Sequence, residues 1–140
     1  MLKLDRLIVK SELDVLTQVQ KWFEHFFHCH LWNRDGSEQQ FYRLNLALAE
    51  GFTNAVRHAH QDLPEETTIE IELALWDKAI EIRIWDQGKP FNPDLLEEPE
   101  PGTLREGGYG WFLLRRLADH VVYKRCPDGR NCLLISSRII

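Results

Sequence analysis

The chain has 140 residues, of which 44% are apolar, and its formal net charge is −5. This length suits one domain, and the apolar content is enough to bury a core without disulfides or metal. The acidic balance argues against a nucleic-acid-binding surface, which needs clustered Lys and Arg to neutralise phosphates. We therefore expect a single domain over residues 1–140 that acts on a protein or a small molecule.

The cysteines and the N-terminus predict the compartment. The three cysteines are odd in number, and the first ten residues lack the pattern of a signal peptide. No apolar run approaches the roughly 20 residues that cross a bilayer. We expect a cytoplasmic protein that does not bind membranes, with Cys126 and Cys132 reduced although they flank a turn.

The first half of the chain predicts a strand followed by two helices. Leu4 to Val9 has strand character, and Ser11 is placed to cap a helix. The apolar residues of this helix recur at helical spacing: Leu16, Val19, Phe23, Phe26 and Phe27. A turn at 33–37 precedes a second helix from Gln39 to His60. Its expected buried stripe is Phe41, Leu44, Leu48, Phe52 and Val56.

The second half predicts two hairpins separated by a loop and a helix. Apolar and charged residues alternate from Thr67, turn at Asp77 and Lys78, and alternate again up to Asp86. The segment 86–110 is rich in Pro, Gly and acidic residues, and irregular connections of this length in compact domains usually bind something. A third helix over 110–119 and a hairpin over 121–136 complete the chain.

This order of elements predicts the fold class. The helices are not interleaved one per strand, as a parallel doubly wound sheet requires. We therefore expect an α+β fold of two layers, in which helices cover one face of a mixed, mostly antiparallel sheet. The other face carries Glu70, Glu72, Glu81 and Arg83 and is left to solvent or to a partner.

Polar residues on the second helix are the first candidates for chemistry. Glu50, Asn54 and His58 are spaced by four, so a regular helix places them along one side, next to Arg57. From the spacing alone, a solvated face of an amphipathic helix is the favoured interpretation. In the functional interpretation, the Asn54 oxygen ligates a hard cation and Glu50 takes up a proton.

Two glycine-containing segments are the other candidates. Asp86-Gln87-Gly88 follows a strand, where the carboxylate can accept a bond from an exocyclic amine and Gly88 lets a flat base approach. Gly107, Gly108 and Gly110 precede a helix, whose N-terminus attracts anions. Alone, each segment is also typical of a turn or a linker. Neither a Walker nor a Rossmann pattern fits these glycines.

The three segments together resemble a known superfamily. Residues 50–59 (EGFTNAVRHA) are similar to the N box of the Bergerat (GHKL) ATP-binding superfamily. Residues 86–91 (DQGKPF) and 106–111 (EGGYGW) are similar to its two glycine boxes. Within it, the chain resembles the anti-sigma factor serine/threonine kinases, the RsbW-like family, over nearly its whole length.

The resemblance implies roles for individual residues. Asn54 would bind Mg²⁺, Asp86 would bind the adenine amino group, and Glu50 would be the base that activates a serine of a partner. The expected phosphate contacts are Gly107, Gly108, Gly110 and, for the γ-phosphate, Arg105. The other residues of the boxes expected at the nucleotide are Arg57, His58, Gly88, Phe91 and Tyr109.

The acidic residue four positions before Asn54 separates this chain from sensor histidine kinases, which usually lack it. The resemblance thus implies a serine kinase that uses Mg-ATP to phosphorylate a STAS-domain anti-anti-sigma protein and that binds a sigma factor. The alternative is a catalytically silent module whose nucleotide controls the binding of a partner. Whether the chain forms a homodimer stays open.

Overall fold

The structure, a computed structural model, describes residues 2–93 and 109–139. In this part of the chain a short 3₁₀ turn at Leu13–Val15 leads into the first α-helix, and a π-helical turn at Ala55–Ala59 ends the second. The strands and α-helices, in chain order, are β1 Lys3–Lys10, α1 Leu16–Leu31, α2 Ser37–Asn54, β2 Thr68–Leu75, β3 Ala79–Asp86, α3 Tyr109–Leu117, β4 His120–Arg125 and β5 Asn131–Arg138.

The five strands form one sheet in the order β1-β2-β3-β5-β4. All four neighbouring pairs among the described strands are antiparallel, so this part of the sheet contains no parallel pair. The α+β class with a helical layer is confirmed, with a sheet more uniform than the expected mixed one. Pairing of β3 with β5 places Asp86 opposite Asn131, at the end of the sheet where the candidate site lies.

The core lies between one face of the sheet and the helices. Alternation in β2 and β3 sends every second side chain into this layer, and the helices supply their predicted apolar stripes. The largest fully buried side chains are Phe23, Phe27, Leu44, Leu48, Phe52, Ile69, Ile71, Leu73, Ile80, Ile82, Ile84 and Leu114. At Gly51 the helix lies so close to the sheet that an added Cβ would be 2.8 Å from Ile84 Cδ1.

The opposite face of the sheet is less exposed to solvent than its charged sequence suggests. Glu72 is buried there, with Arg6 Nε 2.8 Å from its Oε2 atom. Glu70 accepts a hydrogen bond from Arg130, whose guanidinium also lies 5.3 Å from the centre of the Trp85 ring. Charged neighbours across the strands therefore cover part of this face.

Two local predictions were wrong in detail. Ser11 does not cap a helix, because the 3₁₀ turn begins after Glu12 without a side-chain cap, and Ser11 is itself buried. The second helix begins at Ser37 and is α-helical only to Asn54, after which the π-helical turn follows.

None of the helices in residues 2–93 and 109–139 is long and apolar enough to cross a membrane.

The three cysteines are free. Cys29 is exposed on α1, whereas Cys132 is buried in β5, and this burial raises the pKa of the Cys132 thiol to about 12. Cys126 and Cys132 thus remain an unlinked pair on either side of the β4–β5 turn.

Candidate functional site

The end of α2 meets the beginning of α3 at three of the predicted site residues. A Cβ atom added to Gly110 would lie 3.1 Å from Glu50 Oε2 and 3.1 Å from Asn54 Nδ2. These contacts are tighter than ordinary van der Waals contacts, so a side chain at position 110 would displace Glu50 and Asn54 by a few tenths of an ångström. The structure thereby places the N box next to Gly110 of the second glycine box, which lies almost 60 residues later in the sequence.

Asn54 carries an unsatisfied polar atom at this junction. Its Nδ2 atom is buried and has no hydrogen-bond partner among residues 2–93 and 109–139, although Asn54 as a whole is only partly buried. An unpaired buried donor costs about 1–3 kcal/mol, so a position of this kind is usually completed by another group. Rotation of the amide can present its oxygen instead, and amide and carboxylate oxygens are ligands that Mg²⁺ prefers. Asn54 and Glu50 therefore fit a magnesium-bound phosphate.

The π-helical turn changes the arrangement predicted for the rest of the N box. Its hydrogen bonds span five residues, as in the 2.9 Å bond from His60 N to Ala55 O, so a spacing of four no longer keeps side chains in line. Arg57 and His58 lie on this turn and are exposed. The structure thus groups Glu50 with Asn54 at Gly110, and the single stripe expected from the spacing ends at Asn54.

Asp86 lies at the end of β3 with 3% of its surface exposed. Its Oδ1 atom accepts hydrogen bonds from Gly88 N and from Asn131 Nδ2, both at 2.9 Å. Its Oδ2 atom accepts one from Tyr123 OH at 2.6 Å. A carboxylate has about four acceptor positions, so the bonds from the described residues leave one position on Oδ2 for a further donor.

Tyr123 is held as a donor to this carboxylate. Burial raises the pKa of the Tyr123 hydroxyl well above its usual range, and the hydrogen bond to Asp86 raises it further. The ring also belongs to an aromatic group with Phe91 and Trp111, whose centres lie 5.2–6.2 Å apart. Because Phe91 is 47% exposed, its ring gives this group an exposed apolar surface near Asp86.

The backbone after Asp86 is held from two sides. An added Cβ at Gly88 would lie only 2.5 Å from the Ala59 carbonyl oxygen, so this segment packs directly on the π-helical turn. From the sheet, Arg125 and Asn131 donate hydrogen bonds to the Gly88 carbonyl at 2.9 and 3.1 Å. The first glycine box is therefore a fixed loop between the helical layer and the sheet.

The sequence did not point to Tyr123 or Asn131 as parts of the site. Both reach Asp86 through the pairing of β3 with β5 and of β5 with β4, across separations of 37 and 45 residues. Only the register of these strands could have identified them. Arg105, Gly107 and Gly108 lie outside the described residues, and Tyr109 is the residue at which α3 begins.

Comparison with known proteins agrees with this geometry. A family model described as the histidine kinase-like ATPase domain matches residues 9–136.

The chain belongs to this family.

Among individual proteins, the chain is similar to the serine-protein kinase RsbW of Oceanobacillus iheyensis, with 38% identity over 64% of this chain and 61% of that protein. The RsbW proteins of Staphylococcus epidermidis and Halalkalibacterium halodurans are both 36% identical, over 56% and 58% of this chain and 55% and 53% of theirs. The matches thus span little more than half of these relatives. They confirm the resemblance drawn from the three sequence segments.

Proposed function

We propose that this histidine kinase-like domain is a protein kinase that transfers the γ-phosphoryl group of Mg-ATP to a serine of a STAS-domain anti-anti-sigma protein. In this proposal the protein is also an anti-sigma factor in the cytoplasm. Phosphorylation of the STAS-domain protein controls whether this chain binds a sigma factor. The observation that carries the proposal is the position of the Glu50 carboxylate beside the Asn54 amide and the Gly110 backbone.

Recognition of the base is assigned to the Asp86 end of the site. The free acceptor position on Asp86 suits the exocyclic amine of adenine, which is a donor, and disfavours a carbonyl oxygen at the same place. The exposed edge of the aromatic group formed by Phe91, Trp111 and Tyr123 offers a surface for a planar ring. The acceptor position on Asp86 therefore favours ATP over GTP, whereas the aromatic surface suits either base.

Phosphate binding is assigned to the junction of α2 and α3. Asn54 would hold Mg²⁺ through its side-chain oxygen. Bound there, the ion would neutralise charge on the phosphate oxygens and orient them. Gly110 lies in the first turn of α3, where unpaired backbone N–H groups favour an anion. The residues Gly107 and Gly108, together with Arg105, complete the proposed phosphate contacts.

Glu50 is the proposed general base. Its Oε2 atom lies at the same junction as Asn54, and the residue is only partly buried, so a serine hydroxyl from another protein can reach it. Glu50 would accept the hydroxyl proton while the serine oxygen bonds to the γ-phosphorus and the bond to the bridging oxygen of ADP breaks. A positioned base of this kind contributes about 10²–10⁴-fold in rate.

The test compares Glu50→Gln with Glu38→Gln, the same change at an exposed position in the first turn of the same helix. Each variant is incubated with labelled Mg-ATP and candidate STAS-domain proteins. We expect Glu50→Gln to lower transfer at least about 10²-fold with little change in ATP affinity, and Glu38→Gln to leave both unchanged. Undiminished transfer by Glu50→Gln would remove its role as base.

The same assay separates the kinase from the catalytically silent alternative. A silent module would label no partner, yet Asn54→Ala would still change the affinity of the protein for its partner through the nucleotide site.

A further inference from the structure

His60 connects three segments beneath the first glycine box. It directly follows the π-helical turn and has 4% of its surface exposed. Its Nδ1 atom lies 2.9 Å from the hydroxyl of Ser11, which follows β1. On the other side of the ring, Nε2 accepts a hydrogen bond from the backbone N–H of Gln87 at 2.7 Å.

The second of these bonds determines the protonation of the ring. A backbone N–H can only donate, so Nε2 must be without a proton. The neutral ring therefore carries its proton on Nδ1 and donates it to the Ser11 oxygen. Burial lowers the pKa of His60 and so favours this neutral form, although the negative charge of Asp86 partly opposes the effect.

The partner of His60 occupies a critical position in the chain. Gln87 lies between Asp86, whose carboxylate has one acceptor position left, and Gly88, which packs on Ala59. A shift of the Gln87 backbone would move the carboxylate and the close contact of Gly88 together. From the sheet side the loop is held through Gly88, by Arg125 and Asn131, whereas His60 holds it from the helical side.

We propose that His60 is a positioning residue for nucleotide recognition, whose Nε2 atom holds the Gln87 backbone so that Asp86 faces the base. This inference rests on the proposed ATP site. The proposed role belongs to one ring nitrogen. Any side chain of similar volume would serve packing, so burial of the ring does not account for a hydrogen-bond acceptor facing Gln87.

A matched pair of variants separates the two ring nitrogens. In His60→Gln the amide reaches as far as Nε2 and can accept the bond from Gln87. In His60→Asn the amide reaches only as far as Nδ1, so the contact with Ser11 is kept and the acceptor for Gln87 is lost. Both side chains are polar and neither titrates.

The measurements are the Kd for Mg-ATP and the hydrogen-exchange protection of the Gln87 amide, each for both variants and the wild type. We expect His60→Asn to bind Mg-ATP about threefold to tenfold more weakly than His60→Gln, the effect of one net hydrogen bond. Protection of the Gln87 amide should fall by a similar factor. Equal Kd values for the two variants, or equal losses of Gln87 amide protection in both, would overturn the role of Nε2.

The exchange measurement keeps this inference distinct from the proposed function. If the wild type binds no ATP, the proposed function fails and with it the role of His60 in nucleotide recognition. Lower Gln87 protection in His60→Asn than in His60→Gln would then still show that Nε2 holds the Gln87 backbone. If the wild type binds ATP and the two variants do not differ, only the role of His60 fails. If a His60 variant does not fold, Ser11→Ala replaces it, because it removes the acceptor that orients the ring. We expect lower Gln87 protection in Ser11→Ala, and unchanged protection would count against the proposal.

Discussion

Replacing Gly110 by Ala is the most direct way to disturb the proposed phosphate site. The new methyl group would lie 3.1 Å from Glu50 Oε2 and from Asn54 Nδ2, and 3.3 Å from Asn54 Oδ1. Ordinary van der Waals contacts begin near 3.4 Å, so both side chains must move by a few tenths of an ångström. The substitution changes no charge, and glycine has no side-chain hydrogen bond to lose.

The effects on stability and on activity should differ. Overpacking costs about 1–3 kcal/mol, whereas Ala gains about 1 kcal/mol over Gly in a helix, so the net destabilisation should be about 0–2 kcal/mol. Misplacement by 1 Å can cost about 10²-fold in rate, so a shift of a few tenths of an ångström should lower transfer about tenfold.

The assay combines urea unfolding with phosphate transfer from labelled Mg-ATP, using folded Gly110→Ala protein. We expect a folded variant with about tenfold slower transfer and weaker ATP binding. Transfer and ATP affinity within twofold of the wild type would refute the claim that Glu50, Asn54 and the α3 backbone form one site.

Two further predictions concern the groups around Asp86. Tyr123→Phe removes one of the hydrogen bonds to a buried carboxylate and should lower the free energy of unfolding by about 1.5–3 kcal/mol, measured in urea, whereas a loss below about 0.5 kcal/mol would contradict the bond. The stability of the wild type should also fall as the pH drops below about 6.5, the ordinary pKa of histidine, towards the lower pKa of His60 in the fold. As the pH falls, the unfolded chain binds this proton before the folded protein does, so folding becomes less favourable. In the folded protein the charged group that faces the His60 ring is Asp86, and the neutral groups bonded to the ring are the Ser11 hydroxyl and the Gln87 backbone N–H. His60→Gln should reduce the loss of stability between about pH 7.5 and pH 5.5, and an unchanged loss would show that other groups cause it.

Periodic patterns in the sequence were sufficient to predict the fold. The alternation in β2 and β3 and the stripe on α2 reflect burial on one side of an element, which is a local property of the chain. The sequence could not indicate the π-helical turn, because Ala55 to Ala59 keep the composition of an ordinary helix. Ser11 was predicted as a cap from its position alone, whereas its hydroxyl bonds to a residue 49 positions later.

The site was predictable only where its residues lie in continuous motifs. Glu50, Asn54 and Asp86 belong to such motifs, and the structure brings the first two to Gly110. Asn131 and His60 reach the first glycine box through strand register and through the end of the helical layer. Contacts of this kind depend on the assembled fold, and no local pattern encodes them.

Phosphate transfer to a serine of another protein is what distinguishes the proposed kinase from a silent binding module. The most direct measurement is mass spectrometry of a candidate STAS-domain protein after incubation with the wild-type chain and Mg-ATP. We expect phosphate on one serine of that protein, and almost none when Glu50→Gln replaces the wild type. A partner that binds this chain in a nucleotide-dependent way and yet never carries phosphate would contradict the proposed kinase activity.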